Sequence, residues 1–241
     1  MIAHVGLCGF TMSMKTYADH FPVVEVQHTF YDPPPDTLMQ KWLSATPRSL
    51  EYTMKVWQLV THPASSPTYR RMKQALTPGA EPGFFRDSAA VRQGWQRSLE
   101  CAELLNATGM LFQCPASFRP EPENIARMRR FFTRLARPPA RLLWEPRGKE
   151  WVAQRDLAIS LCRDLDLVYV VDPFVTMPAP RHPVYWRLHG INGARHSYTD
   201  AELRQLHAML LEAQSVAPAY VLFNNLPRVG DAKRFVKILR G

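Results

Sequence analysis

The sequence predicts a single-domain α/β protein, a TIM-type (β/α)8 barrel with parallel strands. Short apolar runs rich in branched residues alternate with amphipathic stretches of helical length. Eight such runs occur in 241 residues, and the length is close to the roughly 250 residues typical of these barrels. Because crossover helices make successive strands parallel, eight strands favour closure over an open sheet. We therefore expect residues 1–241 to form one barrel domain.

Most of the apolar runs end in polar residues, as strands of an α/β barrel do at their carboxyl ends. The predicted strands are Ala3–Gly9, Val23–Val26, Glu51–Val56, Gly109–Gln113, Arg141–Glu145, Leu167–Val171, Val184–His189 and Tyr220–Phe223. The predicted helices are Met14–Phe21, Asp36–Leu43, Val91–Leu105, Pro122–Leu135, Val152–Leu165, Thr199 or Asp200 to Ala213, and Asp231–Leu239. Asp36 is placed to cap its helix after three prolines, and Thr199 with Glu202 has the spacing of a capping box.

Two connections depart from the regular alternation. Residues 60–88 form a long, basic, proline-rich loop after the third strand, and a loop of this length is usually functional or mobile. Residues 172–183, between strands six and seven, are rich in proline and too short for a full helix. The predicted barrel is therefore irregular at these two places.

The chain is strongly basic, with a net charge of +9 and a pI near 9.7. This balance favours anionic partners in general, which include nucleic acid, phosphorylated metabolites and anionic membrane surfaces, although charge that serves only solubility gives the same net charge. Of these partners, an anionic small molecule or nucleic acid is expected. No run of eighteen apolar residues occurs, so no membrane partner is expected. The four cysteines show no metal-binding spacing, and the first strand begins almost at Met1. We expect a cytoplasmic protein with free thiols.

Polar side chains end seven of the eight strands, where a barrel collects its ligand-binding residues. The candidates are Glu25, His28, Lys55, His62, Gln113, Glu145, Arg147, Asp172, Arg187, His189, Asn224 and Asn225. Alternation along an extended segment points Glu145 and Arg147 the same way, either as base and anion-binding group or as a structural ion pair. A lysine such as Lys55 at a strand end suits an anion contact or a Schiff base, and the anion contact is the simpler role.

The second pair with this spacing is Arg187 and His189. His189 suits acid–base chemistry, or else it is a hydrogen-bonded core histidine, and Gly190 after it would let a ligand approach the backbone. Asn224 and Asn225 either orient a substrate or cap the last turn of the barrel. Both interpretations of each residue remain open at this point.

A divalent metal is the one cofactor for which the sequence offers ligands. Imidazole and carboxylate ligands could be gathered from several strands, although no local metal-binding spacing supports them. The candidate ligands are His28, His62, Glu145, Asp172 and His189. In the long loop, Tyr69, Arg70, Arg71 and Lys73 are followed by Phe84, Phe85 and Arg86. Basic and aromatic residues interleaved in this way can bind single-stranded nucleic acid, or the loop can be a lid.

An ordered set of short strings resembles the domain-of-unknown-function 72 family. The strings are VEVQHTFY, KVWQLVTHP, FQCPASF, WEPRGKEW, WRLHG and FNN, and they extend over nearly the whole chain. The resemblance implies a TIM-like barrel and brings no mechanism with it. The chain departs from the family pattern at Cys8–Thr11, at Gln27 and at Cys114–Ala116.

These observations predict an enzyme, a hydrolase that acts on a phosphate-bearing substrate such as nucleic acid. Glu145 would be the general base or a metal ligand, and His189 the acid or second ligand. Lys55, His62, Gln113, Arg147, Arg187, Asn224 and Asn225 would bind substrate. One alternative is a carbohydrate enzyme that uses Glu25 and Glu145 as paired carboxylates. The other is a non-catalytic adaptor that binds nucleic acid or protein.

Overall fold

The computed structural model describes residues 3–179, 181–213 and 217–241. Eight strands follow one another in sequence order around a closed barrel, and the pairs whose register is defined are parallel. The strands are β1 (Ala3–Cys8), β2 (Val23–Val26), β3 (Glu51–Lys55), β4 (Gly109–Gln113), β5 (Arg141–Glu145), β6 (Val168–Val171), β7 (Tyr185–Leu188) and β8 (Ala219–Phe223). The predicted fold class is confirmed, and each strand lies within one residue of its predicted bounds.

Helices connect most of the strands. They are α1 (Met14–Tyr17), α2 (His28–Tyr31), α3 (Asp36–Ala45), α4 (Gln58–Thr61), α5 (Ala89–Leu105), α6 (Pro122–Arg134), α7 (Lys149–Ala153), α8 (Arg155–Asp164), α9 (Asp200–Glu212) and α10 (Arg228–Arg240). Thr199 forms the expected capping box with Glu202. Between β6 and β7 the described residues contain no helix, as predicted, and residue 180 of that connection lies outside them. None of the described helices is long and apolar enough to cross a membrane.

Several predicted helices have different bounds. The helix expected over residues 14–21 ends at Tyr17, and the one expected over 152–165 is divided into α7 and α8. The last helix begins at Arg228 rather than Asp231. Residues 28–31, expected as the polar end of a strand, form the single turn of α2, in which the Asp32 amide donates to the His28 carbonyl. Short helices of this kind are set by tertiary contacts that hydrophobic periodicity does not record.

The chain forms two compact units. Unit 1 comprises Met1–Glu25, Ala45–Glu51 and Val168–Gly241, and unit 2 comprises Val26–Ser44 and Tyr52–Leu167. In unit 1, β8 pairs on one side with β1, from Ala3 opposite Ala219 to Leu7 opposite Phe223, and on the other side with β7. In unit 2, β4 pairs with β3 and with β5, and Gln113 lies opposite Glu145 in that register.

An aromatic cluster forms the core of unit 2 around the end of the long loop. Phe85 is 2% exposed and packs on rings from β4 and α6, with centroids between 4.9 and 6.1 Å apart within the cluster. The cluster comprises Phe85, Phe112, Phe118, Phe131 and Phe132. Burial of large apolar rings is the main stabilising contribution to such a core. The loop is therefore anchored by its own side chains.

The loop is also hydrogen-bonded along its backbone. Besides α4, it contains a short 3-10 helix, Pro67–Arg71. The amides of Gly83, Phe84 and Phe85 donate to three consecutive residues of α4, the carbonyls of Leu59, Thr61 and Val60, at 2.7, 3.2 and 3.0 Å respectively. Residues 83–85 are therefore fixed against α4, immediately before the histidine predicted as a site residue.

Gly83 is required at this contact for two reasons. Its φ is +84°, a backbone conformation that side chains other than glycine disfavour, and an added Cβ would lie 2.3 Å from both the carbonyl carbon and oxygen of His62. Backbone atoms cannot move aside as a flexible side chain can. The close approach of the loop end to the backbone of His62 therefore depends on a glycine at position 83.

We expect Gly83→Ala to lower the free energy of unfolding by about 2 kcal/mol or more, because strain at positive φ adds to the clash with His62. Gly79→Ala is the matched control, since Gly79 has φ +77° in the same loop and nothing within 4 Å of an added Cβ. Its cost should be about 1 kcal/mol. Urea unfolding of the two variants measures the difference, and equal costs would show that the contact with His62 is unimportant.

Candidate functional site

Lys55 ends β3 in unit 2 and is almost completely buried. Only 3% of it is exposed, and its Nζ lies 3.7 Å from the centre of the Phe30 ring on α2. The hydroxyl of Thr29 donates to the Lys55 carbonyl at 2.7 Å, which fixes α2 against the end of β3. The face of an aromatic ring attracts a cation, and this attraction offsets part of the cost of desolvation. The sequence did not identify Phe30 as a site residue, although it belongs to the polar-aromatic segment after β2.

His62 follows α4 and is also buried, with 4% of it exposed. Its Nδ1 lies 2.8 Å from the Thr61 hydroxyl, and its ring packs edge-on against Phe30 with centroids 4.8 Å apart. Burial lowers the pKa of His62 to about 3, and the positive charges of Lys55 and Arg147 add to this effect. The imidazole is therefore neutral at neutral pH.

The backbone of His62 is held from a second direction. The Tyr69 hydroxyl, in the 3-10 helix, donates to the His62 carbonyl at 2.9 Å. Burial raises the pKa of Tyr69, so the phenol stays protonated and continues to donate. The guanidinium of Arg71 stacks on Tyr31 at 3.6 Å. Tyr69 and Arg71, which were predicted either to bind nucleic acid or to form part of a lid, therefore contact other residues of unit 2.

Glu145 and Arg147, at the end of β5, form an ion pair. The Nε and Nη2 atoms of Arg147 donate to the same carboxylate oxygen of Glu145 at 3.1 and 2.9 Å. The Glu145 side chain is 6% exposed and that of Arg147 is 38% exposed. The carboxylate therefore orients a guanidinium that still reaches solvent, where its fork can bind an anion. Gln113 is half-buried at the end of β4.

Glu25 and Arg187 lie in unit 1 and are both fully buried. The Nε and Nη2 atoms of Arg187 donate to Glu25 Oε1 at 3.1 and 2.8 Å, and the Tyr185 hydroxyl donates to Oε2 at 2.9 Å. Arg187 also contacts the sulfur of Cys8, whose pKa is raised by burial. Both carboxylate oxygens of Glu25 are occupied and inaccessible. The two residues were predicted as a catalytic carboxylate and an anion ligand, and the structure places them in an internal ion pair.

Asp172 and His189 end β6 and β7 of unit 1. One oxygen of Asp172 accepts the Phe174 amide at 3.1 Å, and the other accepts the His189 amide at 2.8 Å and lies 3.5 Å from His189 Nδ1. The imidazole is 29% exposed beside a carboxylate that is 7% exposed, which is the arrangement of an oriented acid–base histidine. Gly190 has φ +91°, and a Cβ added there would lie 2.3 Å from the carbonyl oxygen of Gly193 in the same loop. No ligand is needed to explain that glycine.

Asn225 connects the end of β8 to neighbouring residues of the same chain by hydrogen bonds. Its amide nitrogen donates to the His196 carbonyl at 2.9 Å and to Asp231 at 2.6 Å, and the residue is fully buried. This is the capping role that the sequence left open beside substrate binding. Asn224 is half-buried, and its backbone amide donates to the Leu188 carbonyl. Asp231, which sequence analysis treated only as a helix start, is the buried acceptor at the centre of this network.

The predicted metal site does not form. In residues 3–179, 181–213 and 217–241 no group of three or more His, Cys, Asp and Glu side chains could hold a metal ion. His28 is exposed on α2 and packs against Trp42, and His62 is hydrogen-bonded to Thr61. Asp172 uses its oxygens on backbone amides. The prediction of His28, His62, Glu145, Asp172 and His189 as metal ligands is wrong because strand-end position does not fix side-chain partners.

The structural role of the buried Glu25–Arg187 pair in unit 1 can be tested by substitution. Arg187→Met should lower the free energy of unfolding by roughly 3–5 kcal/mol, because it leaves the Glu25 carboxylate buried without its cation. The double variant Glu25→Leu, Arg187→Met should lose less than the single variant, since no isolated charge remains. Urea unfolding measures both. A single variant as stable as the parent would mean that the carboxylate reaches solvent or another cation.

The family model for "Protein of unknown function DUF72" matches residues 9–240. A solved DUF72 family protein from Thermotoga maritima is 20% identical, with all of both chains covered and a TM-score of 0.74. A second, from Enterococcus faecalis, is 21% identical over 100% of this chain and 98% of that chain, with a TM-score of 0.73.

More distant barrels are also similar in fold. D-psicose 3-epimerase from Clostridium cellulolyticum is 9% identical over 98% of each chain, with a TM-score of 0.60. At these identities the solved structures show the fold alone. No curated protein matches the chain. The ordered strings of the sequence and the family match agree, and the chain belongs to the DUF72 family.

Proposed function

We propose that the chain is a hydrolase whose phosphate-bearing substrate is bound in unit 2 by Lys55 and Arg147. The observation that carries the proposal is the neutral His62. Both cations lower the pKa of this imidazole, so both act on the same buried position. Burial is the larger cause of the lowered pKa of His62 and the two cations add to it, and a buried position beside two cations favours an anion.

The chemistry of the two cations suits a phosphate group. The ammonium of Lys55 is a compact point charge, and the guanidinium of Arg147, which Glu145 holds through Nε and Nη2, carries a delocalised positive charge that attracts a phosphate. Hydrolysis of a phosphate ester depends mostly on positioning and on neutralising negative charge in the transition state. A neutral imidazole can add a hydrogen bond to a phosphate bound there. His62, Lys55 and Arg147 therefore form the substrate-binding part of the proposal.

Acid–base roles fall to the remaining predicted residues. Glu145 is held in place by Arg147 and is proposed as the base that accepts a proton from the attacking water. His189 lies in unit 1, where it contacts Asp172, and takes no part in the step proposed for unit 2. Glu25 has no catalytic role in the proposal, because both of its oxygens are occupied in the core.

The alternatives have less support. A carbohydrate enzyme with Glu25 and Glu145 as paired carboxylates would need an accessible Glu25, which is fully buried. Solved neighbours include a sugar epimerase, but similarity at 9% identity carries only the fold. Nucleic-acid binding by stacking on the long loop would need accessible rings, and Phe85 is 2% exposed while Tyr69 and Phe84 are half-buried. A small phosphate-bearing molecule is therefore the substrate class that we propose.

Inorganic phosphate is the probe for the binding step. We expect isothermal titration calorimetry to show binding to the parent protein, and Lys55→Met or Arg147→Met to weaken it about 10- to 100-fold, the effect of losing one charge-assisted contact. Lys41→Met is the control, since Lys41 is an exposed lysine on α3, and it should bind as the parent does. Phosphate binding that is unchanged in both site variants would contradict the proposal.

The catalytic step is tested separately on p-nitrophenyl phosphate and bis(p-nitrophenyl) phosphate. Glu145→Gln should lower kcat by about 10²- to 10⁴-fold, the usual contribution of a general base. A Glu145→Gln protein that hydrolyses these esters as fast as the parent would overturn the role of Glu145. Phosphate binding without hydrolysis of either ester would leave an anion-binding protein and contradict the hydrolase.

A further inference from the structure

Four large apolar side chains project into solvent from consecutive loops of unit 1. Val175 is 64% exposed and Met177 59% in the loop after β6, Ile191 is 42% exposed after β7, and Leu226 is 66% exposed after β8. We call these four residues the apolar rim. Single exposed apolar residues are normal on a protein surface, but several on adjoining loops mark an interaction surface.

Contacts between the loops show that the rim is one surface. The Leu226 amide donates to the Ala194 carbonyl at 2.6 Å, which joins the loops after β7 and β8. The ring of Phe174 stacks on Tyr198 with centroids 5.5 Å apart, which joins the loops after β6 and β7. The loops are therefore packed on one another while the four aliphatic side chains face outward.

The charged residues within these loops are basic. Residues 173–179, 190–197 and 224–230 contain no Asp or Glu, and they contain Arg195 and Arg228. Of the flanking carboxylates, the Asp172 side chain is 7% exposed and that of Asp231 is 1% exposed, whereas that of Asp200 is 61% exposed and is paired with Arg234 at 2.7 Å. The three segments thus combine protruding aliphatic groups with arginines and contain no carboxylate of their own.

We infer that the apolar rim docks the protein on an anionic membrane surface. Aliphatic side chains inserted at the acyl boundary, with basic residues at the level of anionic headgroups, are the two contributions that hold a peripheral protein on a bilayer. Neither contribution requires a shaped partner. The absence of acidic residues from the three loops removes the repulsion that anionic lipid would otherwise meet.

The aromatic residues of the loops favour lipid over nucleic acid. Tyr198 is 1% exposed and is covered by Phe174, which is half-buried, so the Tyr198 ring is not available to stack on bases. The side chains that do protrude are Val, Met, Ile and Leu, which are chemically similar to acyl chains. Sequence analysis predicted no membrane partner because the four residues are dispersed over three loops and form no apolar run.

Sedimentation with lipid vesicles tests the inference on the full chain. We expect binding to vesicles of phosphatidylcholine mixed with phosphatidylglycerol and much weaker binding to phosphatidylcholine alone. The rim variant Val175→Ser, Met177→Ser, Ile191→Ser, Leu226→Ser should lose at least about tenfold in partitioning to the mixed vesicles. The matched control is Leu38→Ser, Val152→Ser, Leu211→Ser, which removes exposed apolar residues of α3, α7 and α9. It should bind as the parent does.

Three results would overturn the inference. They are a parent protein that does not bind mixed vesicles, a control variant that loses as much binding as the rim variant, and a rim variant that binds undiminished. Rim-dependent binding to a duplex oligonucleotide or rim-dependent self-association, without vesicle binding, would equally overturn it. Thermal unfolding of each variant confirms that it is folded. The inference does not rest on the proposed hydrolase, since Lys55→Met should leave vesicle binding unchanged.

Discussion

Both units must accommodate charged side chains that folding removes from water, and the rest of each unit depends on how this is done. An unpaired ionised side chain in a protein interior costs folding free energy. Each buried charge is therefore paired with an opposite charge, or a titratable group beside it stays neutral. Unit 1 meets this requirement with an internal pair, since Glu25 and Arg187 neutralise each other and Tyr185 occupies the remaining oxygen. Unit 2 meets it differently, because burial, reinforced by the charges of Lys55 and Arg147, lowers the pKa of His62 and keeps it uncharged.

This difference separates a structural cluster from a candidate site. The Glu25–Arg187 pair is fully buried, and its contacts are complete without a ligand. Arg147 remains 38% exposed although Glu145 orients it, and Lys55 lies beside a histidine that its charge perturbs. A perturbed pKa with named charged neighbours is the usual property of a functional position. The proposed anion site therefore belongs to unit 2, and the buried pair belongs to the framework of unit 1.

Much of the fold could be predicted because the strands are periodic and apolar. The polar residues that end β3 and β5 could be found too, and the ion pair between Glu145 and Arg147 follows from their spacing. The partner of Glu25 could not be found, because Arg187 is distant in sequence and strand position does not show which charges meet. The same limit explains the wrong metal prediction and the unrecognised Phe30. Asn225 could be read in two ways until the structure showed Asp231 beside it.

NMR of the His62 imidazole nitrogens as a function of pH would show whether this buried histidine stays neutral beside two cations. Without ligand we expect a pKa of about 3, far below the ordinary value of 6.5. Added phosphate should raise it, because an anion bound at Lys55 and Arg147 offsets the positive charge that disfavours protonation. A histidine that titrates near its ordinary pKa, or one whose pKa does not respond to phosphate, would contradict an anion site built around a neutral His62.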